Sequence, residues 1–230
     1  LMALYAIGDL HLSFGADKPM DVFGGRWDGY IDKLRAGLSC ITEEDTTVLL
    51  GDLSWAMSME AAQPDFAFIS AIPGRKIVLK GNHDYWWTTA AKFHRFCAEQ
   101  GFSQMEVLHN NCLFYGDVAL CGTRGWFYEE EKHGTHDEKV FLRELSRLET
   151  SLRAAGEHEK LCFLHYPPKY QGYECAPILE LLQKYGVRDC YYGHLHAESL
   201  RLAFLGRSHD VDFHLVSADY VNFTPVKIRN

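Results

Sequence analysis

At 230 residues, with 47% hydrophobic and 23% charged side chains, the chain is long enough to bury a sizeable core and has the composition of a soluble globular protein. A formal net charge of -8 argues against a protein whose main task is gripping nucleic acid, which favours a basic surface. No apolar run approaches the roughly 20 residues that cross a bilayer, so no membrane role is expected. The opening Leu1-Met2-Ala3-Leu4-Tyr5 lacks the basic stretch of a signal peptide, and Leu1 ahead of Met2 reads as an addition to the natural start. Seven cysteines (Cys40, Cys97, Cys112, Cys121, Cys162, Cys175 and Cys190) are odd in number and never in C-x-x-C spacing. They suit reduced, buried thiols better than a disulfide framework or a Cys-based zinc site, and cytoplasmic residence is expected.

In chain order, a short apolar run at Leu4–Ile7 ends in Gly8-Asp9-Leu10-His11. Tyr30, Leu34 and Leu38 then fall at helical spacing. A second run, Thr47–Leu50, ends in Gly51-Asp52, and a third, Lys76–Leu79, precedes Gly81-Asn82-His83-Asp84. Asp84 also reads as an N-cap for a helix starting near Tyr85. Phe93, Phe96 and Cys97 share a helical face, with Gly101 as its stop. Residues 105–122 read as consecutive strands with short turns. Thr135 and Glu138 make the S/T-x-x-E capping box of a longer helix, whose stripe runs through Phe141, Leu145, Leu148 and Leu152, with Glu149 and Arg153 paired on the other side. A fourth run, Leu161–Leu164, leads to His165. A helix over Ala176–Tyr185, with Pro177 early and Gly186 at its end, precedes the last run, Cys190–Tyr192, and Gly193-His194-Leu195-His196. Residues 199–228 again read as strands. Apolar runs this short and bounded by glycine read as strands buried on both faces. The pattern predicts two packed sheets with helices outside, in one domain spanning residues 1–230.

The chemical residues stand where strands end, which is where open α/β sheets bind ligands. In Asp9-Leu10-His11 and His194-Leu195-His196, residues two apart point to the same side of an extended strand, so one metal could take both. Carboxylate oxygens combined with imidazole nitrogens suit divalent Mn, Fe, Co, Ni or Zn, whereas an all-oxygen set would favour Mg or Ca. Asp9, His11, Asp52, Asn82, His165, His194 and His196 are too many ligands for one ion. They would fill two four-ligand shells if one carboxylate bridged. Two ions roughly 3.5–4 Å apart can hold a hydroxide nucleophile between them and neutralise the oxygens of an in-line displacement. Each residue also has a plainer reading: Asn82 as a turn residue, Asp84 as the helix cap, His165 as the end of a strand. Trp55, Trp86, Trp87, Tyr166, Tyr170 and Tyr173 follow the strand ends and could stack a base or sugar, or simply fill the core. Arg124, in Thr123-Arg124-Gly125-Trp126-Phe127-Tyr128, is a candidate phosphate contact, with a salt bridge to Glu129–Glu131 as the alternative. No motif surrounds His109, His209 or His214.

In order, the five motifs resemble the calcineurin-like metallophosphoesterase superfamily, whose pattern is D-x-H, G-D, G-N-H-D/E, a lone H and G-H-x-H. Here it stands as Asp9-Leu10-His11, Gly51-Asp52, Gly81-Asn82-His83-Asp84, His165 and Gly193-His194-Leu195-His196. The resemblance implies a four-layer α/β/β/α sandwich of two mixed sheets flanked by helices. It implies one ion on Asp9, His11 and His196, another on Asn82, His165 and His194, and Asp52 bridging. It also implies that His83 contacts the phosphate and helps the leaving oxygen depart, oriented by Asp84. The superfamily's protein Ser/Thr phosphatases carry Arg soon after the second motif and use G-N-H-E. This chain has Leu53-Ser54-Trp55-Ala56-Met57 and Asp84 instead, and looks more like the small bacterial predicted phosphohydrolases. The expectation is an enzyme that hydrolyses a small phosphomonoester or phosphodiester by a metal-held hydroxide. A nuclease acting on DNA or RNA is the alternative, disfavoured by the acidic charge. A non-catalytic scaffold, like the metallophosphoesterase-like subunit of retromer, would be expected to lose ligands that this chain keeps. Natural substrate, metal identity and oligomeric state are left open.

Overall fold

The computed structural model describes residues 2–127 and 135–230. The strands β1 (Leu4–Ile7), β2 (Thr46–Leu49), β3 (Arg75–Val78) and β4 (Met105–Val107) run parallel in one sheet, closed on its other edge by antiparallel β13 (Val226–Arg229). Helices α1 (Tyr30–Leu38), α2 (Gln63–Ser70) and α3 (Ala90–Gln100) lie between these strands in the chain. The second sheet has the order β11 (Gly206–Ser208), β12 (Val211–Leu215), β10 (Asp189–Tyr192), β7 (Lys160–Leu164), β6 (Val118–Thr123), β5 (Cys112–Tyr115). Its four inner strands are parallel and both edge strands antiparallel. A small hairpin of β8 (Lys169–Tyr170) and β9 (Tyr173–Glu174) stands apart, and α4 (Thr135–Ala154) and α5 (Ala176–Lys184) complete the elements that matter here.

Strand alternation sorts the side chains into three apolar layers. Leu4 and Ala6 of β1, Val48 of β2, Ile77 of β3, Leu120 of β6, Leu161 and Phe163 of β7 and Tyr191 of β10 form the layer between the sheets. The alternate residues Ile7, Leu49 and Val78 face α1, α2 and α3 through Leu34, Phe66 and Phe93. Ala119, Cys121, Cys162 and Leu164 face α4 and α5 through Leu148, Leu152 and Leu182. Every core strand is thus covered on both sides, which is why each reads as an unbroken apolar run. The architecture is the expected α/β/β/α sandwich. Each fully buried Leu, Ile, Val or Phe contributes roughly 1.5–3 kcal/mol, so the inter-sheet layer alone is a large stabilising term.

The helices follow their sequence signals with two corrections. Gly101 adopts the left-handed backbone (φ 71°) that stops α3, and Gly186 does the same after α5. Glu149 pairs with Arg153 at 3.8 Å, and also takes Lys184 at 2.9 Å. The first correction concerns the start of α3, which begins at Ala90, capped by Thr89, whose hydroxyl accepts from the Lys92 amide at 3.2 Å. Asp84 caps no helix; its oxygens have nearer donors, described below. The second is α2, which sequence periodicity did not signal: its short segment opens on Pro64 and is held by burial of Phe66 and Ile69. The side chain of Thr135 and residues Glu129–Glu131, on which two expectations fall, lie outside the described residues. Among the described residues, no helix is long and apolar enough to cross a membrane.

Candidate metal centre

The two sheets are stitched together at the ends of β1 and β12. The Gly8 amide donates to the Val216 carbonyl at 2.8 Å, and the Ala218 amide to the Gly8 carbonyl at 2.9 Å. The polar strand ends of both sheets therefore arrive at one seam. Asp9, His11, Asp52 and His165 are fully buried there, with Asn82, His83, His194 and His196 partly exposed around them. Asp9, His11, Asp52 and His194 hold left-handed backbone, with φ of 56°, 46°, 51° and 69°. Non-glycine residues rarely stay in that region, and clusters of them mark sites where geometry is imposed from outside.

Ligand-type atoms gather in two groups that share one residue. One atom each of Asp9, His11 and Asp52 lies within 4.8 Å of the others, and the same holds for Asp52, His165 and His194. Asn82 joins the second group: its Oδ1 is 2.7 Å from His165 Nε2 and 2.9 Å from His194 Nδ1. His196 stands beside the first group, its ring 5.0 Å from that of His11, and its backbone carbonyl accepts from the Ser199 amide at 3.1 Å. All seven expected ligands are thus at one seam, with Asp52 common to both groups.

The environment fits cations. His165 Nδ1 faces the Leu50 carbonyl at 2.9 Å, so that nitrogen carries the proton and Nε2 presents a lone pair. That lone pair points at Asn82 Oδ1 and lies 3.5 Å from Asp52 Oδ2. Asp52 Oδ2 and His11 Nε2 are buried with no hydrogen-bond partner among the described residues. Buried polar atoms are almost always satisfied, so convergent lone pairs without donors mark a place for positive charge. Burial lowers the imidazoles, His165 to about 3 and His194 to about 2, and keeps them in the neutral, ligating form. Burial pushes the Asp52 carboxyl up to about 6 and raises Asp9, which the Asp52 charge raises further. Two neighbouring buried carboxylates are costly without a cation between them. Two of the motif glycines are there for space: a Cβ on Gly81 would come within 2.1 Å of Asp52 Oδ1, and one on Gly193 within 2.5 Å of Asp9 Oδ2.

The supporting shell differs from expectation at Asp84. Its carboxylate accepts from the amides of Gly81 (2.7 Å), Asp52 (2.8 Å), Leu53 (2.9 Å) and Ser54 (3.2 Å), and from the Trp86 indole (2.9 Å). It therefore ties the second motif to the third through the backbone rather than orienting the His83 ring. His83 Nδ1 instead meets the Tyr85 hydroxyl at 3.1 Å, and the His83 amide donates to Asp52 Oδ1 at 2.7 Å. Sequence reasoning missed Ser217 and Asp219, which follow β12. The Ser217 hydroxyl donates to Asp9 Oδ2 at 2.9 Å, and Asp219 Oδ2 accepts from the amide of Ala197, next to His196. Their only signal was position, a sixth strand end carrying polar residues.

The aromatics divide between the two readings. Trp86 is core, packed on Phe66 and Phe93, and Trp87 lies against Phe93 and His109. Tyr170 and Tyr173 stack on each other. Trp55 is a site wall, stacked on His11 at 4.9 Å and 4.6 Å from the His83 ring, and Tyr166 lies 4.6 Å from His194. Arg124 pairs with Glu144 at 3.3 Å and lies over Trp126 at 4.6 Å.

The family model of calcineurin-like phosphoesterases matches residues 2–198. The chain belongs to that family. It is therefore a phosphoesterase by family, with a donor set suited to divalent metal ions. No curated protein sequence matches the chain. Among solved structures it is similar to a phosphopantetheinyl hydrolase (PptH) from Mycobacterium tuberculosis, with TM-score 0.62 and 14% identity over 99% of this chain and 95% of that one. It is also similar to the protein of unknown function AQ665 from Aquifex aeolicus, with TM-score 0.55 and 17% identity over 99% and 96%. TT1561 of Thermus thermophilus matches with TM-score 0.54 and 12% identity over 98% and 97%. At these identities the structural likeness speaks to the fold.

Proposed function

We propose that the chain is a dinuclear metal-dependent phosphohydrolase acting on a small phosphomonoester or phosphodiester. The observation that carries this is the sharing of Asp52 between two ligand groups, with its Oδ2 buried and unpartnered among the described residues. Asp9, His11 and His196 would hold one divalent ion and Asn82, His165 and His194 the other, with Asp52 between them. When bound, Mn, Fe, Zn, Co or Ni would supply Lewis acidity toward the phosphoryl oxygens and the attacking water. The protein's own part is positional. His165 is fixed in one tautomer by Leu50, Asp9 is oriented by Ser217, and Asp84 pins the loop that presents His83. His83 is the general acid for the leaving oxygen, on the edge of the centre beside Trp55 and Tyr85. The unit includes residues beyond 198, because β12, β13 and Ser217 complete both sheets and the Asp9 shell. Seven free cysteines support residence in a reducing compartment such as the cytoplasm.

The test is hydrolysis of p-nitrophenyl phosphate and its bis ester by metal-loaded protein, with His83→Ala beside the native chain. The substitution should lower kcat by about 100- to 10,000-fold, the range of a lost general acid, with bound metal unchanged. Unchanged kcat on phenyl phosphate as well, whose phenolate leaves poorly without a proton, would remove His83 from the acid role. Preference between the two esters decides monoesterase from diesterase.

A further inference from the structure

A second concave feature adjoins the centre. It is a cavity of about 500 Å³ whose walls include Lys80, Arg124, Arg143 and Arg147, together with Glu144 and His109. Among the described residues, four cations meet one carboxylate there, in a chain whose net charge is -8. That carboxylate is committed: Glu144 is buried and accepts from Thr123 Oγ1 at 2.9 Å, Arg147 at 2.5 Å and Arg124 at 3.3 Å. It aligns two guanidinium groups and leaves an excess of positive charge. Arg124 Nε is buried with no hydrogen-bond partner among the described residues. The first turn of the 11-residue α3 also opens on the cavity through Thr89 and Ala90, adding the positive end of a helix.

Two of the cavity's lining residues are backbone neighbours of the metal centre. Lys80 stands two residues before Asn82, and the Arg124 carbonyl accepts from the amides of His165 (3.1 Å) and Tyr166 (2.9 Å). An anion held by these cations would therefore sit beside the Asn82–His165 side of the reacting group. Guanidinium groups bind phosphate oxygens in pairs, and several converging on one cavity suit a dianion. We infer that this basic cavity holds a second phosphate of the substrate, so that the enzyme acts on a small molecule bearing two phosphoryl groups. The substrate assignment rests on the hydrolase reading above, whereas the anion site itself does not. A small molecule rather than a nucleic-acid strand fits because this cluster of cations lines a cavity of about 500 Å³ in a chain of net charge -8.

Two measurements test this. Metal-loaded enzyme is assayed on adenosine 5′-phosphate and adenosine 3′,5′-bisphosphate. The bisphosphate should be preferred at least about 10-fold in kcat/KM, through a lower KM, and Arg147→Gln or Arg143→Gln should bring the ratio close to one. Arg143 is an exposed helical residue, so its variant guards against loss of folding. In parallel, inorganic sulfate is titrated calorimetrically into the same proteins, and either substitution should weaken its binding about 10-fold. Equal kcat/KM for the two nucleotides would overturn the substrate assignment, as would faster cleavage of a short oligonucleotide than of the bisphosphate. Sulfate binding that ignores both substitutions would overturn the anion site. No hydrolysis of any substrate, with substitution-sensitive sulfate binding intact, would sink the hydrolase reading and leave the anion site standing.

Discussion

The strand ends of the first sheet carry both candidate carboxylate ligands, Asp9 after β1 and Asp52 after β2, whereas β7 and β10 of the second bring imidazoles. Three of the four left-handed residues at the centre, Asp9, His11 and Asp52, belong to the first sheet. There the chain is bent into an unfavourable conformation and tied down through its amides. On the second sheet, His165 leaves its strand regularly and is aimed by the hydrogen bond from its Nδ1 to the Leu50 carbonyl. The difference follows from charge. Neutral imidazoles tolerate burial at modest cost, while two adjacent buried carboxylates repel and have to be held in place by geometry. A cation between the sheets would relieve that repulsion and tie the charged side to the neutral one.

Asp52→Asn should give the largest effect. It is isosteric but removes the carboxylate charge common to both ligand groups, so metal content measured by elemental analysis should fall at both positions. His165→Ala should empty one. Hydrolysis should fall by more than the about 10- to 100-fold that supporting-shell substitutions cost. Without metal the sign reverses: Asp52→Asn removes the repulsion with Asp9 and should raise the melting temperature of chelator-treated protein. Native protein that keeps one ion after Asp52→Asn would dissolve the asymmetry between the sheets.

Asp84→Ala comes next. Five donors lose their acceptor, four of them backbone amides that fix the second and third motifs. At about 1–3 kcal/mol for each buried donor left unpaired, the loss should reach at least about 3 kcal/mol in urea denaturation. Asp84→Asn, which can still accept, should recover part of it. A loss under about 1 kcal/mol for Asp84→Ala would mean that the bent backbone of the first sheet holds itself.

What was legible in the sequence was whatever the chain repeats locally. Five strands each announced themselves by an apolar run ending in glycine or histidine, and the ligands stood at the break. What was not legible depends on pairing across the fold. Asp84 looked like a helix cap because its nearest amides in sequence are downstream, whereas its partners are mostly 30 to 32 residues upstream. Ser217 reaches Asp9 over 208 positions, with no motif to mark it. Cysteines that look scattered prove to be neighbours: Cys112, Cys121, Cys162 and Cys190 are register partners in a row across four strands, against the α4 and α5 layer. Register follows from which face of each strand is buried and from the turns, and the spacing of the cysteines along the chain does not reveal it.

Asp65 offers the finest probe of how the first sheet is tethered. It lies on α2, fully buried, and accepts from the Phe14 amide at 2.7 Å and from the Ser54 hydroxyl. It thereby holds both the loop after His11 and the loop after Asp52. Burial raises its carboxyl above the usual range against the pull of those hydrogen bonds. A raised value in the folded state means that the folded chain binds the proton more tightly than the unfolded one. The stability this contributes is complete below the unfolded value of about 3.9 and is lost as pH rises through the folded one. Asp65→Asn cannot titrate, so native stability relative to the variant should fall between acid and neutral pH. The variant itself should differ from native by about 1 kcal/mol or less at pH 7. Urea denaturation at several pH values gives both curves; if they run parallel, the buried carboxylate at this position is ionised at no cost, and the tether is neutralised by a group outside these contacts.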